Sequence, residues 1–148
     1  MRKAILYIIL TLLLSVSCTQ KEPATYMLRP HEELPKEIAS DKSFTKIFLA
    51  GTIDIGNSRD WQMELYDRFS KMDGRYILFN PRQEHWDASR PGEMDYQVKW
   101  ELDHLEDADM IIMMENGMVA AVGTHDELMA SSPIYQEVYY SQQKGGDE

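Results

Sequence analysis

From Lys46 to Met114 the chain alternates short apolar runs with stretches whose apolar residues recur at helical spacing, and this alternation restricts the fold more than any other feature. Lys46-Ile47-Phe48-Leu49-Ala50-Gly51 is a nearly unbroken apolar run ending on glycine, the pattern of a parallel strand covered on both faces. Gly51 and Thr52 open a loop through Gly56. Asn57 or Ser58 can then cap a helix with Trp61, Leu65, Phe69 and Met72 on its apolar side, stopped by Asp73-Gly74. Tyr76 to Phe79 reads as a second strand, broken by Asn80-Pro81 because proline cannot donate to a central ladder. A second helix is expected from Tyr96 to Glu106, with Val98, Leu102 and Leu105 on one face and Glu101, Asp103, Glu106 and Asp107 on its wet face and end. Ala108-Asp109 leads to a third strand, Met110 to Met114. Strands alternating with helices predict an α/β fold with a parallel sheet, and such sheets bind ligands beyond the C-terminal ends of their strands.

The loops expected at those ends carry Gly51, Thr52, Asp54, Asn80, Arg82, His85, Trp86 and Asp87. Hydrogen-bonding groups beside two rings suit a small polar ligand that itself contains a ring. Each has a plainer role too: Gly51 as a strand-end turn, Asn80-Pro81 as a turn element, Arg82 as an ion-pair partner, Asp87 as a cap and His85 as a solvated side chain. The net charge of -10 argues against a nucleic-acid partner, because that binding begins with Lys and Arg neutralising phosphates. One cysteine cannot form an internal disulfide, and no Cys/His cluster has metal-ligand spacing.

Arg2 and Lys3 precede an apolar run from Ala4 to Leu14, and Ser15-Val16-Ser17 leads to Cys18. A charged start, an apolar stretch too short to cross a bilayer comfortably and small residues at its end make a secretory signal over residues 1–17. Its end resembles the lipobox of a bacterial lipoprotein, with Ser15 where leucine is usual. That resemblance implies a diacylglycerol on Cys18, cleavage before it, and a lipid anchor in the cell envelope, periplasmic or surface-exposed. Loss of Arg2 and Lys3 would take the net charge to -12, so the lipid rather than the protein surface would hold the membrane. Residues 18–43, with Pro23, Pro30 and Pro35 among polar residues, read as a tether; the alternative is a strap packed on the domain through Tyr26, Met27 and Leu28.

Phe48-Leu49-Ala50-Gly51-Thr52-Ile53, Asp60-Trp61-Gln62, Asn80-Pro81-Arg82 with Trp86-Asp87, Gln97-Val98-Lys99-Trp100-Glu101-Leu102 and Ala108-Asp109 form an ordered series. It resembles the nucleoside 2-deoxyribosyltransferase-like family over about residues 47–113. The resemblance implies a small Rossmann- or flavodoxin-like parallel sheet flanked by helices, here over a partial domain from 44 to 113. It also implies glycosyl transfer: a carboxylate attacks the anomeric carbon of a 2-deoxynucleoside, the base leaves with acid assistance, and water or a second base collects the sugar. No metal or cofactor is needed for that chemistry, and the partner is a nucleoside-like small molecule, with oligomerisation open. Gly51 would admit the ligand close to the backbone; Thr52, Asp54, Asn80, Arg82 and Trp86 would bind it; Asp87 would serve as a polar or acid group.

After Asp109 the pattern changes. Asn116-Gly117 between two apolar runs is a hairpin signal, which makes the next strand antiparallel. With Gly123-Thr124-His125-Asp126-Glu127-Leu128 and a last helical stretch from Ile134 to Gln143, residues 108–143 resemble the C-terminal end of an ABC-transporter ATPase domain. The Gly-rich phosphate loop of that family is absent, so no ATPase can be assembled from 114–148. The join would fall near Ala108 to Ile112, as a natural fusion or as the joining of two genes.

Glu127 has two readings. It imitates the nucleophile motif of the transferase family and would then stand at the mouth of the sheet. Alternatively, Thr124 caps a helix and Glu127, three residues on, reaches back to it. The functional expectations are accordingly a nucleoside glycosyl transferase or hydrolase using Glu127 and Asp87, a non-catalytic nucleotide-binding module, or a fusion fragment with no activity.

Overall fold

The computed structural model describes residues 24–51, 59–87 and 89–145. Five strands form one sheet: β1 (Ala24–Leu28), β2 (Thr45–Gly51), β3 (Arg75–Phe79), β4 (Met110–Glu115) and β5 (Met118–Gly123). The helices are α1 (Lys36–Ala39), α2 (Trp61–Phe69), α3 (Glu93–Asp107), α4 (His125–Ser131) and α5 (Pro133–Gly145). The strand order is β1-β3-β2-β4-β5, parallel throughout except for the final antiparallel pair. This is the expected α/β architecture of the Rossmann or flavodoxin kind.

Both faces of the sheet are covered, which is why Ile47 to Leu49, Ile77 to Phe79 and Ile111 to Met113 are apolar and buried at successive positions. Ile47, Leu49, Leu78 and Ile112 pack with Trp61, Leu65, Tyr66 and Phe69 of α2. Their neighbours Phe48, Ile77, Phe79, Ile111 and Met113 face the other way, onto Trp100 and Leu105 of α3, Leu128 of α4 and Tyr135 and Tyr139 of α5. The alternation of side chains along a strand divides one hydrophobic run between two cores.

Several boundaries differ from expectation. The segment read as a tether supplies the edge strand: Ala24 to Leu28 pairs in register with Arg75 to Phe79, as the strap alternative required. Asp60 caps α2, its carboxylate accepting from the Met63 amide at 3.0 Å; Asn57 and Ser58 lie outside the described residues. Met72 falls beyond that helix and is half exposed. Helix α3 starts at Glu93, three residues early, after a left-handed Gly92. Its buried face is Glu93, Gln97, Trp100 and Leu105, while Val98 and Leu102 are only half-buried. Two buried polar residues in that set hid the face from an apolar periodicity.

At the other end of the strand, Asp109 pins β4 beside β2, accepting from the Lys46 amide at 2.8 Å and donating its own amide to the Lys46 carbonyl at 2.9 Å. The hairpin forms as expected. Asn116 and Gly117 have φ of 50° and 75°, the two left-handed residues of the turn whose twist suits paired strands. Its consequence is topological: β5 runs back, so Gly123 pairs with Ile111 at the beginning of β4.

Candidate functional site

The chain passes from β2 to β3 on one side and then to β4 on the other, so connections diverge at the C-terminal end of β2. A crevice is expected where the strand order reverses. A cavity of about 300 Å³ lies there. Its floor is Phe48, Ala50 and Gly51 of β2 and Met113, Met114 and Glu115 of β4; Pro81 follows β3; Glu101 and Leu105 come from α3; Ile134, Tyr135, Val138, Tyr139 and Gln142 of α5 form the roof. Such a volume stands at the lower end of ordinary small-molecule sites.

Glu101 is the polar centre of this lining. Expected on the wet face of its helix, it is half-buried instead, because α5 covers that side of α3. Its Oε1 accepts from Gln97 Nε2 at 2.6 Å, and its Oε2 accepts from Gln142 Nε2. Burial pushes the carboxyl above its ordinary range, with the two amide donors pulling the other way. Gln97 is itself held by the Pro81 carbonyl at 2.9 Å and by Gln83, which donates to its Oε1 at 2.7 Å. Gln83 also donates to Glu93 at 3.1 Å, and His31 Nε2 is 2.7 Å from the same oxygen. Hydrogen bonds to the charged form, that to His31 foremost, hold Glu93 below the usual carboxylate range. Two acids eight residues apart on one helix are thus pushed in opposite directions. Glu115 is exposed at the rim.

The residues expected at the site are placed as follows. Gly51 lines the cavity, and a Cβ there would meet the Met114 carbonyl at 2.8 Å, so glycine lets β2 and β4 approach at this edge. Asn80 is fully buried; it accepts from the Arg82 amide at 3.0 Å and donates to the Met27 sulfur at 3.4 Å, which fixes the turn after β3. Arg82 is 3.9 Å from Asp60, the cap of α2. Trp86 is half-buried and His85 exposed. Asp87 is exposed and accepts from the Ser89 hydroxyl at 2.6 Å and the Ser89 amide at 3.0 Å, bonds that lower its pKa and keep it ionised. In that state it is an acceptor rather than a proton donor. Thr52, Asp54 and Cys18 lie outside the described residues.

Glu127 is not at the mouth. The β4–β5 hairpin returns the chain to the opposite end of the strands, beside the start of β4, and there Thr124 and Glu127 form a complete capping box: Thr124 Oγ1 accepts from the Glu127 amide at 3.3 Å and Glu127 Oε2 accepts from the Thr124 amide at 2.9 Å. It is absent from the cavity lining. What the sequence did not reveal was the set Gln97, Glu101 and Gln142. The available signal was the polar series Glu93, Gln97, Glu101, four residues apart, on a helix that also carries Trp100.

A 55-residue stretch, 37% of the chain, is 38% identical to a probable multidrug resistance ABC transporter ATP-binding/permease protein of Bacillus subtilis (strain 168). The chain spans 9% of that protein's length, consistent with the resemblance seen in the C-terminal segment. The sequence profile described as nucleoside 2-deoxyribosyltransferase like matches residues 45–131, more than half of the chain. That match runs through β4, β5 and α4, past the join expected near Ala108 to Ile112. The chain belongs to the nucleoside 2-deoxyribosyltransferase-like family.

Proposed function

We propose that the cavity binds a 2-deoxynucleoside, base inward between the aromatic and aliphatic walls and sugar toward the mouth, and that the chain transfers or hydrolyses the sugar. The observation that carries this reading is a half-buried carboxyl of raised pKa, Glu101, in a cavity at the C-terminal end of β2, with the exposed carboxylate of Glu115 on its rim. Two carboxyl groups in unlike environments divide acid from nucleophile. The Glu115 carboxylate attacks C1′, the C1′–N bond breaks, and its electron pair leaves with the base, which takes the Glu101 proton. Water or a second base then attacks C1′, frees Glu115 and returns a proton to Glu101. The roof supplied by α5 limits water around the bond, so the C-terminal segment is part of the site in this reading.

The same proposal includes export and lipid attachment at Cys18, testable by incorporation of labelled fatty acid that Cys18→Ser abolishes. The catalytic part is tested by incubating the full chain with 2′-deoxynucleosides and measuring free base. Glu101→Gln is expected to slow release about 100-fold or more, the usual contribution of a general acid, and Glu115→Gln to abolish it. Release that survives Glu115→Gln but falls with Glu127→Gln would return the nucleophile role to Glu127. Binding without turnover in the unaltered chain would leave a nucleoside-binding module.

A further inference from the structure

The sheet ends on a strand with an open side. β5 pairs with β4, and among the described residues no strand lies along its outer edge. Met118, Val119 and Val122 are 69%, 58% and 51% exposed, Ala120 is exposed as well, and Ala121 is the β5 side chain that reaches a core. Val122 is the cross-strand partner of Ile112 and shares its face, yet the core beneath α2 stops at Ile112.

The opposite edge is finished differently. β1 has Pro23 before it and Arg29 and Pro30 after it. Its five residues are half-buried or buried, with Tyr26 edge-on to Phe44 at 5.6 Å and Met27 packed on the core beneath α2. Proline and charge at an edge keep other strands away. The nine residues from Asn116 to Thr124 contain neither, in a chain that is 27% charged. The one irregularity in β5 is the register shift opposite Met113 and Met114, which leaves Ala120 without a partner in β4 and bends the strand without adding a charge.

What completes such an edge must bring main-chain donors and acceptors in extended form, together with apolar side chains. A second copy of the chain meets both conditions through β5 itself. The net charge of -10 makes two copies repel wherever their charged surfaces meet, and β5 with its flanks is a stretch where that repulsion is absent. An antiparallel pair about a two-fold axis is self-complementary, so one strand serves as both halves of the contact.

We infer that β5 is a dimer interface: two copies pair edge to edge and antiparallel, joining their sheets into one, with Met118, Val119 and Val122 of each covered by the other. The contact is small, one short strand from each copy, so the dimer exchanges with monomer. The paired hairpin also carries Glu115, opposite Met118, so the second copy steadies one rim of the cavity. The inference stands whether or not the cavity binds a nucleoside.

The test is sedimentation equilibrium of the full chain in a density-matched non-ionic detergent, which keeps the apolar run before Cys18 out of the association. The apparent mass is expected to rise from one chain to two over about 1–100 μM. Val119→Lys and Val122→Lys put like charges on the shared edge at positions already exposed to water. Each should weaken association about tenfold or more while keeping the melting transition. Amide exchange in β5 of the unaltered chain should slow as concentration rises, a readout that holds even where a lysine variant fails to fold. A monomer with fast β5 exchange at every concentration, or a dimer that survives both lysines, overturns the inference. So does slow β5 exchange in a chain that stays monomeric, because another segment of the same chain would then cover the edge.

Discussion

Replacing Gly51 with alanine should separate β2 from β4 at the cavity. The new methyl would lie 2.8 Å from the Met114 carbonyl oxygen and 3.1 Å from both Met114 Cβ and Trp61 Cζ2. Met114 is the strand partner of Gly51, so its carbonyl is held in the ladder and cannot rotate away. On the other side stands the first residue of α2, packed in the core with Ile47 and Leu49. Overpacking of this kind costs about 1–3 kcal/mol. The reduced freedom of the unfolded chain returns about 0.4–1 kcal/mol, leaving a net loss of about 1–2 kcal/mol. In urea titration that lowers the midpoint by about 0.5–1 M at an unchanged slope. Gly117→Ala separates close packing from backbone conformation: it has open space but a φ of 75°, and costs about 1–2 kcal/mol through the left-handed backbone alone. Only the Gly51 variant should also lose stabilisation by a bound deoxynucleoside. An unchanged or higher midpoint for Gly51→Ala would refute the close approach of β2 and β4 at this edge.

Glu101 and Glu93 predict opposite pH dependences. Because burial raises the Glu101 pKa, the folded state holds that proton more tightly than the unfolded chain, and stability falls as pH rises from 4.5 through the higher folded value. Glu93 is lowered, so its contribution is present above 4.5 and lost as pH falls through the folded value. Urea midpoints against pH should therefore change slope in opposite senses for Glu101→Gln and Glu93→Gln; a shared sense would contradict the assignment. Thr124→Ala should cost about 0.5–2 kcal/mol by removing the cap of α4, read as a lower melting temperature, and no loss would mean that the capping box is idle.

The legible parts of the chain were those in which one local cause acts. The apolar runs of β2, β3 and β4 are buried on both faces wherever they pack, so their composition identified them. Asn116-Gly117 specified its turn because few other residues accept two left-handed positions, and Thr124 with Glu127 specified a helix start because both bonds are local. The proline-bearing segment misled because β1 gains its stability from register with β3, some fifty residues away in sequence. The site was hidden for a related reason. Glu101 looks like a solvated helix residue until α5, beginning more than thirty residues later, is laid over it.

By itself, then, the sequence determined the alternation of strands and helices, the hairpin, the cap of α4 and the membership of the family, since each depends on neighbouring residues or on an ordered series of motifs. Tertiary structure decided which carboxyl groups share a cavity. The antiparallel return of β5 carries Glu127 to the end of the sheet where β4 begins, while the packing of α5 on α3 buries Glu101 at the end where β2 and β4 finish. Burial and long-range hydrogen bonds set the proton affinity of an acid, and neither is a property of its place in the chain.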